Sequence, residues 1–215
     1  MNSGPLNWVD FAVVVTLVVA VFRGRKHGLS EELLPLFRNL GMVAAAGFCY
    51  QPVGQFVAES TVFSLLNSYR AAYLALVLAV YVFFKIVKKA VGDKLLTSDL
   101  FGGFEYYLGM IAAVLRFATV VLMFFAVLHS RAYSEKELAE FEKQQEFNLG
   151  TIRLPSLSSL QHDVFAQSVS GRLVRDNLPF LLIVSTAPED KSLRDSEVHK
   201  RRENDVNNVI EGGAK

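Results

Sequence analysis

Cysteine is nearly absent: Cys49 is the single one in 215 residues. No internal disulfide can form, and cysteine usage does not identify the redox compartment. The four histidines are scattered and give no ligand pair at metal spacing, so no metal site and no cofactor is expected. An excess of one charge is also missing. The 22 Lys+Arg and 21 Asp+Glu leave a net charge of +1, without the concentrated basic face that nucleic acid requires. Phosphate-binding glycine loops, G-x-S-x-G and H-E-x-x-H do not occur. His162-Asp163 lies among serines in a charged stretch that offers a hydrolytic triad no scaffold. No catalytic residue is therefore assigned, and no enzyme activity is expected.

The apolar residues, 52% of the chain, are gathered into four blocks. These are Trp8–Phe22, Leu33–Tyr50, Ala71–Val87 and Leu108–Leu128. A membrane-spanning helix needs roughly 20 mostly apolar residues, a length only the fourth block reaches alone. Ala12–Val21 and Val120–Leu128 are apolar nearly all round, which leaves no polar face for a soluble bundle. The first block has no Lys or Arg before it and Arg23 directly after it. That is the wrong charge order for a secretory signal, so a retained helix is expected. The expected fold is all-α: a polytopic membrane protein with four transmembrane helices, a C-terminal amphipathic helix and a polar tail.

Three regions follow. Residues 1–130 form the four-helix membrane domain. Residues 131–186 are an extramembrane helical tail, and 187–215 are polar and expected to be disordered or frayed. In the tail, Ser134–Glu137 is a capping box leading into a charged helix to about Gln145. Leu157–Leu178 has its apolar residues at helical spacing, with Gly171 as a weak point. This helix is expected either to lie on the membrane or, the favoured reading, to pack on the membrane domain, because its polar face is not especially basic. Phe180–Val184 is apolar but too short to span.

Loop charges set the orientation. Arg23, Arg25 and Lys26 follow the first block, and Lys85, Lys88, Lys89 and Lys94 surround the end of the third. The positive-inside rule puts loops 23–32 and 85–101 in the cytoplasm and both termini outside, although Arg131 and Lys136 then fall on the outer side. Gly24 and Gly28 are expected to close a tight cytoplasmic turn. Ser98 or Asp99 is expected to cap a helix beginning near Leu100.

Ionisable residues inside spans are costly, so each is a functional candidate. Asp10 lies about 7 Å to the outer side of its block centre, Arg38 about 5 Å and Arg116 about 3 Å to the inner side. Arg38 can snorkel toward Glu31 and Glu32. Asp10 can cap a helix or touch interfacial water. Arg116 is too deep for a routine end charge and belongs either to a structural ion pair or to a functional site, with Asp10 and Glu32 as candidate partners. Gly109 and Ala113 form a small-xxx-small pair, and Gly41, Ala45 and Gly47 give the second block a small face. The second and fourth blocks are therefore expected to pack together, or one of them to form a subunit interface.

These pieces occur in a familiar order. Trp8-Val9-Asp10 opens the first span, Arg23-Gly24, Gly28 and Glu32 follow it, and a turn with Asp99 and Gly102 leads to Leu108-Gly109-x3-Ala113-x2-Arg116. Over roughly residues 6–130 the chain resembles the colicin V production protein (CvpA) family of bacterial inner-membrane proteins. Asp10, Arg23, Gly24, Glu32, Gly109 and Arg116 match the family pattern, while Ala113 replaces its second glycine. The resemblance implies a four-span inner-membrane protein linked to colicin V-type toxin production or export and to envelope homeostasis. A related membrane domain anchors some periplasmic serine proteases, but no protease domain follows the spans here. The expected partners are the lipid bilayer, other membrane or envelope proteins, or further copies of the chain. The expected role is non-enzymatic assembly. The alternative is a small oligomeric transporter or channel component using Arg116 and Asp10.

Overall fold

The computed structural model describes residues 7–61, 63–91, 102–133 and 157–186. Most of these residues are helical, and among them the only extended pairing is an isolated bridge between Arg131 and Thr186. Helix α1 runs over Trp8–Ser60, α2 over Leu65–Val91 and α3 over Glu105–His129, the last preceded by a 3-10 turn at Gly102–Phe104. In the tail, α4 (Leu157–His162) passes into a π turn (Asp163–Gln167). Helix α5 (Val169–Asn177) and a 3-10 turn at Pro179–Leu181 follow.

The first two apolar blocks lie in one helical element, not in two helices joined by a loop. Residues 23–27 stay helical, with His27 Nδ1 2.9 Å from the Arg23 carbonyl one turn back. The path breaks at one residue, Gly28, with φ 72° and ψ 177°, a conformation that costs a residue with a Cβ but not glycine. Two arms result, residues 8–27 and 29–60. The Gly24-Gly28 turn expected from sequence is thus a break at Gly28 alone. Asp10 near the start of the first arm and Tyr50 in the second both bond the tail between 169 and 184. The second arm therefore folds back along the first.

The remaining helices continue the alternation. The Gly54 Cα abuts Tyr69, and that of Gly41 faces Val80 and Phe84, so α2 runs antiparallel to the second arm. Helix α3 begins beside Gly24 and Gly28 and ends where Arg70 Nε donates to Ser130 Oγ at 2.7 Å. The result is an up-down-up-down arrangement of four helical segments. Helix α3 starts at Glu105 without a side-chain cap, whereas Ser98 and Asp99 lie outside the described residues.

Two helices, Leu65–Ala90 and Glu105–His129, are long and apolar enough to cross a membrane. A core helix of a soluble protein would be mostly buried, but only 11% and 33% of their most apolar windows are. Phe11, Phe22, Phe48, Phe56, Leu78, Ile86 and Ile111 point outward, while Asp10, Glu32, Asn39, Ser68 and Thr119 are buried. Apolar groups outside and polar groups inside is the distribution that lipid as solvent favours.

The tail is part of this core. Val164, Phe165, Leu182 and Ile183 are buried in one cluster with Val9, Tyr50, Tyr69, Tyr73, Leu122 and Phe125. The run 180–184 enters as a wedge. Phe180 stacks on Phe48, Leu181 covers Gly47, and His129 Nδ1 lies 3.0 Å from the Ile183 carbonyl. Tyr50 Oη donates to the Leu182 carbonyl and accepts from Val184 N–H at 2.9 Å. The single amphipathic helix expected over 157–178 is divided at Ser168, three residues before the suspected Gly171. Ser168 Oγ caps Gly171 N–H, and Asp10 accepts from Val169 and Ser170 N–H. These three donors are the free N–H groups of the first turn of α5, so the division is stabilised by capping. The charged helix expected over 134–145 and the chain beyond 186 lie outside the described residues.

Candidate functional site

Three glycines build the site. Gly24 and Gly28 are one turn apart on α1, and both face Gly109 on α3. A Cβ on Gly24 would collide with the Gly109 backbone, and a Cβ on Gly109 with the Gly28 backbone. Backbone therefore meets backbone, as small-xxx-small pairs allow within membranes. Gly109 thus packs on Gly24 and Gly28, not on the small face of the second block. Gly41 of that face meets α2, and Gly47 meets the tail. Ala113, one turn beyond Gly109, is fully buried.

Glu32 lies one turn past Gly28 and is 2% exposed. Arg116 lies two turns past Gly109 on the same face of α3. The close crossing brings them together: Arg116 Nη1 is 2.5 Å from Glu32 Oε2. Arg23, half-exposed beside Gly24, places Nε 3.6 Å from Glu32 Oε1. One buried carboxylate thus holds two guanidiniums, one deep and one reaching outward. Arg116 also lies over the Phe117 ring, and its carbonyl accepts from Thr119 Oγ1 at 2.6 Å and from Asn39 Nδ2 at 3.4 Å. The Asn39 bond ties the second arm directly to α3.

Glu105 supports the break itself. Its Oε1 accepts from Ser30 Oγ at 2.6 Å and from Ser30 N–H at 3.4 Å. Beyond Gly28 a new helical arm begins, and Glu105 supplies an acceptor to its first turn. Asp10 does the same for α5 at the other end of the bundle, with Ser170 Oγ adding a bond at 2.7 Å. Trp8 Nε1 and Asn7 Nδ2 both reach Asp163 and fasten the start of α1 to the tail.

The three charged candidates therefore separate into three places. Arg116 joins Glu32 and Arg23. Asp10 is not its partner; the tail occupies that carboxylate. Arg38 does not reach toward Glu31 or Glu32. Its guanidinium lies 5.1 Å from the centre of the Tyr81 ring on α2, with Nε 3.5 Å from Asn39 Oδ1. Sequence reasoning did not anticipate Asn39, Glu105, Ser30 or Tyr50. Glu105 at the start of a helix and Ser30 after a glycine were available signals. Tyr50 had none, because the tail groups it bonds lie more than 130 positions away. Among the described residues, no three His, Cys, Asp or Glu side chains lie close enough to hold a metal ion.

The model of the colicin V production protein family matches residues 9–144. The chain belongs to that family. No curated protein and no solved structure matches it. The matched span contains Arg23, Gly24, Gly28, Glu32, Gly109 and Arg116, the positions that build the glycine crossing and its ion cluster in this chain. It excludes the described tail segment 157–186, which in this family member completes the far end of the bundle.

Proposed function

We propose that this member of the colicin V production protein family is a four-pass inner-membrane protein. It supports toxin production or secretion, or envelope maintenance, as a non-enzymatic assembly factor. Each of the four helical segments is long enough for a span: residues 8–27 give about 30 Å of helix and the others more. Arg23, Arg25, Lys26, Lys88 and Lys89 gather at the Gly28 end, which supports a cytoplasmic location for that end and an outer one for the docked tail.

The observation that carries the assembly reading is the occupancy of the deep charge. Arg116 is bound to Glu32 at a crossing where backbones touch, so its charge locks helices together. A conduction pathway would need that charge facing a cavity. The packed bundle instead offers surfaces: a broad apolar exterior for other membrane proteins and a tail secured at the outer face.

The test is purification of the tagged protein from gently solubilised native membranes, followed by measurement of mass and co-purifying proteins. A defined heteromeric complex is the expected result. A homo-oligomer without partners, with solute flux in liposomes that changes in Arg116 variants, would overturn the reading in favour of a transporter or channel component.

A further inference from the structure

Among the described residues, the charges around Arg116 do not balance. Glu32 is one buried carboxylate, and it is shared by Arg116 and Arg23. Arg38 is a third guanidinium, linked to the Arg116 backbone through Asn39, whose Oδ1 lies 3.5 Å from Arg38 Nε and whose Nδ2 donates to the Arg116 carbonyl at 3.4 Å. Arg38 has no carboxylate partner among the described residues. Its contacts there are the Tyr81 ring and Asn39 Oδ1.

Lysines continue this surplus toward the Gly28 end. Gly41 faces Val80 and Phe84 across antiparallel helices. Arg38 is one turn nearer the Gly28 end than Gly41, which puts it level with about Lys85 on α2. Tyr81, Lys85 and Lys88 follow one another at i, i+4 and i+7, on one side of α2. Lys85 and Lys88 are exposed, and neither has an ion-pair partner among the described residues. Arg38 meets Tyr81, and Lys85 and Lys88 continue the Tyr81 side of α2, so a basic stripe runs along the α1–α2 seam beside exposed Phe37, Leu78 and Val82.

We infer that this stripe binds the phosphate headgroup of an anionic phospholipid from the leaflet at the Gly28 end. The phosphate supplies the negative charge that Arg38 lacks among the described residues. The lysines lead the headgroup in from the interface, and the flanking apolar side chains contact the acyl chains. Basic pockets between transmembrane helices hold acidic headgroups in this manner, and guanidinium suits phosphate by its forked donors. The inference requires that α2 and the second arm contact lipid. It does not depend on the assembly role.

The experiment is native mass spectrometry of the detergent-purified full chain, titrated with phosphatidylglycerol and, separately, phosphatidylcholine. Wild-type protein is expected to retain phosphatidylglycerol at least about tenfold more strongly, equivalent to about 1.4 kcal/mol. The preference is expected to be lost in the double variant Arg38→Gln, Lys85→Gln. Arg25→Gln, which removes a positive charge outside the stripe, is expected to keep it. Equal retention of both lipids by wild type overturns the site, as does an undiminished preference in the double variant. Equal loss in Arg25→Gln reduces the effect to general surface charge and also overturns it. Millimolar inorganic phosphate is expected not to displace the lipid; displacement would identify a free-anion site instead. Unchanged Trp8 fluorescence and melting temperature show that the variants are folded. If the double variant fails this check, Arg38→Gln alone provides the same comparison.

Discussion

The Arg116–Glu32 pair gives a quantitative expectation. Glu32 is 2% exposed and the Arg116 side chain 12%, so neither can turn to water when its partner is removed. Replacing Glu32 with Met leaves a desolvated guanidinium with no counter-charge. Replacing Arg116 with Met leaves a desolvated carboxylate whose remaining partner is the half-exposed Arg23 at 3.6 Å. Breaking a buried pair from one side costs about 3–5 kcal/mol. Replacing both partners with apolar groups of similar volume removes the two desolvation penalties with the attraction, and is often neutral or stabilising. Arg23 loses little, because it is half-exposed and 3.6 Å from Glu32. Glu32→Met and Arg116→Met should therefore each lower stability by at least about 3 kcal/mol, whereas the double variant should return to within about 1 kcal/mol of wild type. Equilibrium unfolding in a fixed detergent, followed by Trp8 fluorescence, measures all four proteins of the cycle. Single costs below about 1 kcal/mol, or costs that add in the double variant, would refute the buried-pair reasoning. The same double variant separates structure from activity. If it is stable but fails to restore the cellular phenotype of a deletion strain, Arg116 or Glu32 acts beyond holding the helices.

Gly109→Ala should destabilise the bundle by about 1–3 kcal/mol, because its methyl group falls on the Gly28 backbone; since about 1 kcal/mol shifts the melting temperature by about 2–4 °C at this size, an unchanged melting temperature would contradict the crossing. Asp10→Ala removes the acceptor for Val169 and Ser170 N–H and for Ser170 Oγ. It should cost about 0.5–2 kcal/mol as a lost cap and increase modification of a cysteine placed at Ile183, which is fully buried, with Cys49 replaced by Ser. Unchanged protection would mean that Asp10 does not hold the tail.

The all-helical character, the apolar blocks and the family were legible in the sequence because they rest on local pattern and on the order of motifs. The path between the first two blocks was less legible. Arg23, Arg25 and Lys26 are charged and Gly24 and Gly28 are turn formers, so residues 23–30 suggest a loop. The charged residues nevertheless stay helical, and Gly28 alone makes the reversal. Placing Arg116 by depth below the membrane surface suggested Asp10 and Glu32 as partners. Depth alone could not choose between them, because the choice depends on which helix meets the Gly109 face. The tail was hardest to read. The wedge 180–184 is a short apolar run with no periodicity, and the acceptor for the start of α5 lies 159 positions upstream of Val169. Contacts of that separation leave no local pattern.

The reversal at Gly28 also fixes rotational phase. A loop would absorb an inserted or deleted residue by changing shape, but here helix continues directly on both sides of one residue. One residue added between Gly28 and Glu32 would turn the rest of the second arm by about 100° and advance it by about 1.5 Å. Glu32 would swing away from Arg116, Gly41 from α2 and Tyr50 from the tail wedge, all in one step. The spacing from Gly28 to Glu32 therefore coordinates both ends of the bundle, so length changes in this short segment are far less tolerable than most substitutions in it.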